Sequence, residues 1–95
     1  LKIDDDTYII DTGVIGYRTY SVTYKIETND TKLKNQIKDK IWVVREHREK
    51  VLKEMFCEDD EMKIYRDNEV DFIHIFKDAM DKVMFMVAIS NSGCR

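Results

Sequence analysis

The segment from Thr31 to Phe56 constrains the fold most, because its 26 residues contain neither glycine nor proline. Asp30 or Thr31 is suited to cap its start, since a short side-chain oxygen accepts a hydrogen bond from an orphan amide of the first helical turn. The segment therefore predicts one long helix of about 40 Å, which exceeds the width of a domain of this size. Apolar residues form its inner face at intervals of three or four residues, and once of seven: Leu33, Ile37, Ile41, Val44, Val51 and Met55.

The middle of this helix is apolar on every side for about one turn. Trp42 and Val43 lie opposite the inner face, and a turn that is apolar all round is normally covered on both sides. The cover is either a loop of the same chain or a second protein, and a chain of 95 residues has few left to supply a loop. We therefore expect a homodimer, with these residues at its interface: Ile41, Trp42, Val43 and Arg45.

The rest of the chain reads as strands. Residues 17–27 alternate apolar and polar side chains, which indicates one buried and one exposed face. The run Val83–Ile89 is apolar throughout and favours a buried strand, with a helix as the alternative. The sequence predicts one α+β domain, residues 1–95, in the order β-β-α-β-β-β, with one long helix packed across an antiparallel sheet of four to five strands. The predicted strands are 7–11, 17–27, 62–66, 69–77 and 83–89.

The strand pattern also predicts which side chains are buried, because neighbouring residues of a strand point to opposite faces. Three residues are expected to be exposed: Thr23, Lys25 and Asp71. Seven are expected to be mostly buried: Tyr20, Val22, Tyr24, Ile26, Val70, Phe72 and Phe76.

Cys57 and Cys94 are too few for a disulfide framework, and no segment resembles a signal peptide or a membrane span. We therefore expect reduced cysteines, a cytoplasmic location and no membrane partner.

No pattern of reactive residues points to catalysis. His47, His74 and Cys57 lack the spacing of a metal site, and no serine or cysteine has the context of an activated nucleophile. We expect a protein that is not an enzyme and that has no cofactor and no metal.

Charge is distributed unevenly. The net charge is −3, yet residues 31–54 carry eight basic and four acidic side chains. Lys34, Lys38 and Arg45 share a sector beside the apolar face, which would suit a phosphate backbone. The run Glu58, Asp59, Asp60 and Glu61 instead forms an acidic patch that would dock onto a basic protein surface.

Arg48 interrupts the apolar face and needs a carboxylate partner, because an unpaired buried charge is very costly. Asp71 or another carboxylate of the sheet would serve as that partner. Arg48, Lys34 and Lys38 are also candidates for an anion site, although a structural ion pair is the simpler role for Arg48.

Two functions follow from these patterns. The first is a small regulatory interaction protein that self-associates and binds an unidentified protein partner, acting as an inhibitor through its acidic patches in the extreme case. The alternative is a nucleic-acid-binding regulator that uses the basic helix.

Overall fold

A computed structural model describes residues 2–94. Its β-strands are β1 (Thr7–Gly16), β2 (Thr19–Ile26), β3 (Asp71–Lys77) and β4 (Val83–Ile89), and its α-helices are α1 (Thr31–Asp39), α2 (Ile41–Glu58) and α3 (Lys63–Asp67). Short 3-10 helices cover Asp60–Met62 and Asn91–Cys94. The α+β class is confirmed, with four strands in this described part of the chain and helices packed on the sheet.

The four strands form a single mixed sheet in the order β1-β2-β3-β4. The two outer pairs are antiparallel, whereas β2 and β3 are parallel. The prediction of a wholly antiparallel sheet is therefore wrong at its centre. The helices between β2 and β3 carry the chain back to the end of the sheet at which β2 begins. A crossover of this kind joins parallel strands.

The predicted long helix is broken at Lys40, whose backbone is not helical (φ −141°, ψ 49°). The break keeps two hydrogen bonds, since the Lys40 amide donates to the Gln36 carbonyl and the Lys40 carbonyl accepts from the Val43 amide. Central strands of seven or eight residues extend for only about 25 Å, which is too short to support a straight helix of 40 Å. The break lets the apolar side chains on both sides of it pack against one core.

The segment 62–66, predicted as a strand, is helical. The Asp59 carboxylate accepts a hydrogen bond from the Glu61 amide at 2.9 Å and so caps a new helical run. Arg66 Nη1 donates to the carbonyls of Phe56 and Asp59, both at 2.7 Å, and satisfies the end of α2. Acidic residues favour a helix N-terminus, so the acidic run starts a helix rather than forming a loop before a strand.

The core lies between the helices and one face of the sheet. Phe76 stacks between Tyr24 and Phe85, with ring centroids 4.5 and 4.7 Å away. The strand predicted for residues 83–89 is confirmed, and from Phe85 onward every second residue of β4 is buried: Phe85, Val87 and Ile89.

The predicted burial pattern holds at six of the ten positions. Tyr20 and Thr23 depart from it, and Val22 and Lys25 are only half-buried. Tyr24, Ile26, Val70, Phe72 and Phe76 are buried as expected, and Asp71 is exposed. Tyr20 is 37% exposed.

Thr23, expected to be exposed, is only 9% exposed. It is flanked across the sheet by Asp11 and Ile75, and these neighbours cover it on both sides.

Cys57 and Cys94 form a disulfide, with their Cα atoms 5.4 Å apart and a sequence separation of 37. The expectation of reduced cysteines is therefore wrong. After β4 the chain passes back beside the C-terminal end of α2, and the helical turn Asn91–Cys94 brings the second cysteine there. This proximity is tertiary, so no spacing within the sequence reveals it.

Candidate functional site

The apolar turn of α2 is divided between the core and the surface. Ile41 packs against the core, and Val43 is half-buried, whereas Trp42 is 59% exposed. Arg45 is exposed and pairs with Glu49 at 3.1 Å along the same helix. The Trp42 side chain is thus not covered by its own chain, and its place at a dimer interface stays a prediction.

The basic sector is not one continuous row. Lys34 and Lys38 are exposed on α1, while Arg45 belongs to α2, beyond the break at Lys40. A straight phosphate backbone would therefore not meet all three side chains as it would on a single helix. Nucleic-acid binding stays a prediction that no contact in this region favours.

The acidic patch is exposed throughout. Glu58 is the last residue of α2, Asp59 caps the following turn, and Asp60 and Glu61 begin that turn. Its carboxylates are available to a partner, although that of Asp59 already accepts a backbone hydrogen bond.

Arg48 has the ion pair that the sequence requires, but with a different partner. Its Nη1 lies 3.2 Å from the carboxylate of Asp4, in the segment before β1. Burial alone would raise the pKa of Asp4, but the Asp6 amide, the Thr7 hydroxyl and Arg48 together hold it below its usual value of 3.8. Asp71 lies on the opposite face of the sheet from the helices and cannot reach Arg48.

Tyr24 and His74 form a buried hydrogen-bonded pair inside the core. The Tyr24 hydroxyl oxygen and His74 Nδ1 lie 2.7 Å apart, and the tautomer of the imidazole decides which of them donates. Burial lowers the pKa of His74 to about 4 and raises the pKa of Tyr24 to about 12, against a small opposing effect of Arg48. Because His74 is only 9% exposed, the pair is suited to holding β2 and β3 together.

On the face of the sheet opposite the helices, β3 and β4 carry a patch of apolar side chains that are partly or fully exposed, a feature that the sequence reasoning missed. We call Ile73, Ile75, Met86 and Ala88 the open face. In register, Ile73 lies beside Ala88 and Ile75 beside Met86, and Met86 is 55% exposed. The continuous apolar run 83–89 predicts a strand buried on both sides, and this pattern does not distinguish the exposed residues Met86 and Ala88 from the buried ones.

Charged residues border the open face at both ends. Lys25 and Lys77 are paired in register at one end, and Asp71 begins β3 at the other. Lys25 already contacts the carboxylates of Asp81, at 3.2 Å, and Glu27, at 3.5 Å.

Within residues 2–94 no group of three or more histidine, cysteine or acidic side chains is placed to hold a metal ion. No helix in that range is both long and apolar enough to cross a membrane. The expectations of no metal, no cofactor and no catalysis stay predictions.

These features define a small α+β protein with a mixed four-stranded sheet, helices on one face and an apolar patch on β3 and β4 on the other. No protein-family model matches the chain, and a search of curated proteins gave no match. Among solved structures, the chain is similar to a protein of Pseudomonas aeruginosa described as a "putative secreted protein", with a TM-score of 0.72 and 10% sequence identity. The similarity covers 100% of this chain and 78% of the other, and at this identity it shows a common fold alone.

The expectation of a cytoplasmic location is wrong. It depended on reduced cysteines, whereas Cys57 and Cys94 are joined, and disulfides persist in oxidising compartments. The description of the structural neighbour as a secreted protein points in the same direction.

Proposed function

We propose that the protein is a small non-catalytic interaction protein that self-associates through the open face. The observation that supports this proposal is the row of Ile73, Ile75, Met86 and Ala88 on the side of the sheet away from the helices. Antiparallel sheets often leave one face to water, but that face is then usually polar. An apolar face with charged ends is instead typical of a surface that meets another protein.

The charges at its two ends favour a second copy of the chain as the occupant. A two-fold axis lying across the strands places the Lys25 and Lys77 end of one sheet over the Asp71 end of its partner. The two sheets then stack face to face at the usual spacing of about 10 Å. Such a contact is self-complementary, as a two-fold interface requires.

The acidic patch Glu58–Glu61 lies at the end of α2, on the helix side of the sheet, and stays accessible in such a dimer. We propose it as the docking site for a basic surface of a protein partner, through which the protein regulates or inhibits that partner. The disulfide and the secreted neighbour favour a setting outside the reducing cytoplasm.

Sedimentation equilibrium at micromolar concentration tests the self-association. The wild-type protein is expected to be a dimer, and Met86→Glu a monomer, because the substitution buries a charge at the centre of the contact. Met80→Glu is the matched control, since Met80 is 87% exposed in the turn between β3 and β4. Circular dichroism verifies that each variant is folded.

The Trp42→Glu variant separates the open face from the apolar turn of α2. If it dissociates the dimer while Met86→Glu does not, the contact lies at Trp42 and the open-face proposal is wrong. A wild-type protein of monomer mass refutes self-association through either surface.

A further inference from the structure

A pocket lies on the helix side of the sheet, between α2, the inner face of β1–β3 and the segment before β1. It has a volume of about 270 Å³. Its walls are almost entirely apolar and include Ile9, Leu52, Met55 and Phe76. Because Met55 is 54% exposed, the pocket opens to solvent along α2.

One cationic group lines this apolar pocket. The Arg48 guanidinium lies 6.0 Å from the centroid of the Phe76 ring, and its side chain is only 20% exposed. Guanidinium groups bind carboxylates through paired donors, and partial burial strengthens the attraction. The pocket therefore combines an apolar cavity with a fixed positive charge in its wall.

Asp4 at present occupies the position that an anionic ligand would take. Its carboxylate pairs with Arg48 at 3.2 Å, but its side chain is 46% exposed and it belongs to the irregular segment before β1. Ile3, next to it, forms part of the pocket wall. The Arg48 contact uses Oδ2 of Asp4, whereas Oδ1 accepts from the Asp6 amide. A ligand carboxylate could thus replace Oδ2 on Arg48 while Oδ1 keeps its backbone hydrogen bond.

We propose that this pocket binds a small amphipathic carboxylate, such as a medium-chain fatty acid, whose carboxylate pairs with Arg48 in place of Asp4. An apolar cavity of about 150 Å³ accepts benzene, so the observed volume suits an apolar body of roughly eight to ten heavy atoms. The apolar walls bind the hydrocarbon part of the ligand, and Arg48 binds its carboxylate. This site is separate from the open face, which lies on the other side of the sheet.

Titration of the oxidised protein with sodium octanoate tests the proposal, with 1-octanol as the uncharged probe of equal length. Octanoate is expected to bind at least tenfold more tightly than octanol, with methyl shift changes in two-dimensional NMR spectra confined to Leu52, Met55 and their neighbours. Equal affinity for the two probes would exclude a role for the charge. Absence of octanoate binding up to 1 mM, or shift changes centred on Met86, would overturn the proposal altogether.

Two pairs of matched variants test whether Arg48 binds the carboxylate of octanoate and whether Asp4 competes with it. Arg48→Met should weaken octanoate binding about tenfold or more, whereas Arg45→Met, one turn earlier on the exposed side of α2, should not. Asp4→Asn should strengthen binding several-fold because it removes the competing carboxylate, while Asp5→Asn should leave the affinity unchanged.

The Asp4 variant keeps the test decisive if Arg48→Met fails to fold. Weaker binding or no change in Asp4→Asn would contradict competition for Arg48. The same titration of Met86→Glu distinguishes this site from self-association, since the monomer should bind octanoate as the wild type does.

Discussion

Acidification below pH 6.5 should destabilise the protein, because His74 binds a proton more readily in the unfolded chain than in the folded protein. The imidazole is buried on the inner face of β3, and its Nδ1 is hydrogen-bonded to the Tyr24 hydroxyl at 2.7 Å. Protonation would make both ring nitrogens donors and would place a positive charge in this buried site, where it is poorly solvated. Burial accordingly lowers the pKa of His74 from 6.5 to about 4.

The sign and size of the effect follow from linkage. In the unfolded chain His74 binds a proton near pH 6.5, whereas in the folded protein it does so only near pH 4, so the unfolded state binds more protons between these values. The contribution of neutral His74 to the free energy of unfolding is fully present above pH 6.5. It decreases below that pH and is lost as the pH falls through about 4. Between pH 7.5 and pH 5.0 the free energy of unfolding should fall by about 2 kcal/mol from this group.

Urea denaturation at these two pH values measures the loss, and the imidazole carbon shifts of the folded protein report the protonation of His74 directly. Asp4 stays ionised at both values, because its pKa is lowered below 3.8. The matched control is His47→Gln, at an exposed position on α2, which should keep the pH dependence. A folded-state His74 that titrates near pH 6.5, or equal stability at pH 7.5 and 5.0, would refute the reasoning.

Three further substitutions or treatments have definite expected outcomes. Reduction of the disulfide, or Cys57→Ser with Cys94→Ser, should lower the free energy of unfolding by about 4 kcal/mol for a closed loop of this length, and thermal melts with and without reductant would contradict this if they coincide. Arg66→Met should cost about 2 kcal/mol because it removes two hydrogen bonds to carbonyls at the end of α2, whereas Arg45→Met, with only an exposed ion pair, should cost less than about 0.5 kcal/mol in the same urea titration. Val87→Ala, at a fully buried position of β4, should cost about 2 kcal/mol, and a cost near zero would mean that the side chain is not packed as described.

The features that could be predicted from the sequence are those encoded locally. Alternation in β2 identifies Tyr24 and Ile26 as core residues, since a strand has a two-residue repeat. The length of the run 83–89 correctly favours a strand over a helix. The α+β class follows from these elements because a sheet with one apolar face needs helices to cover it.

The errors in the fold concern contacts between residues that are distant in sequence. The break at Lys40 has no glycine or proline to mark it and results from packing two helices on short strands. The parallel register of β2 and β3 and the pairing of Cys57 with Cys94 depend equally on where the chain returns. The carboxylates before α3 are the exception, since Asp59 is an ordinary N-cap residue that local reasoning could have recognised.

In the candidate site, too, the local features could be predicted from the sequence and the contacts between distant residues could not. The exposure of Trp42 and the need of Arg48 for a carboxylate follow from helical periodicity. The partner of Arg48 does not, because Asp4 belongs to the N-terminal segment, 44 residues earlier in the sequence. The pocket beside Arg48 is likewise formed by segments that only the tertiary structure brings together.

The parallel contact between β2 and β3 has a consequence for how the protein folds. Tyr20 pairs with Phe72, 52 residues later, while the two antiparallel pairs on either side join strands that are adjacent in sequence. Hairpins form within about 10 μs, but pairing across a long connection must first meet the entropy cost of closing that loop. The two hairpins, β1–β2 and β3–β4, therefore form quickly, and the pairing of β2 with β3 is the slow step. Until that step occurs, β2 and β3 each expose an unpaired edge, and edges of this kind are where separate chains associate incorrectly. The yield of refolded protein should therefore fall as chain concentration rises, and the joining of the two hairpins sets the rate against which aggregation competes.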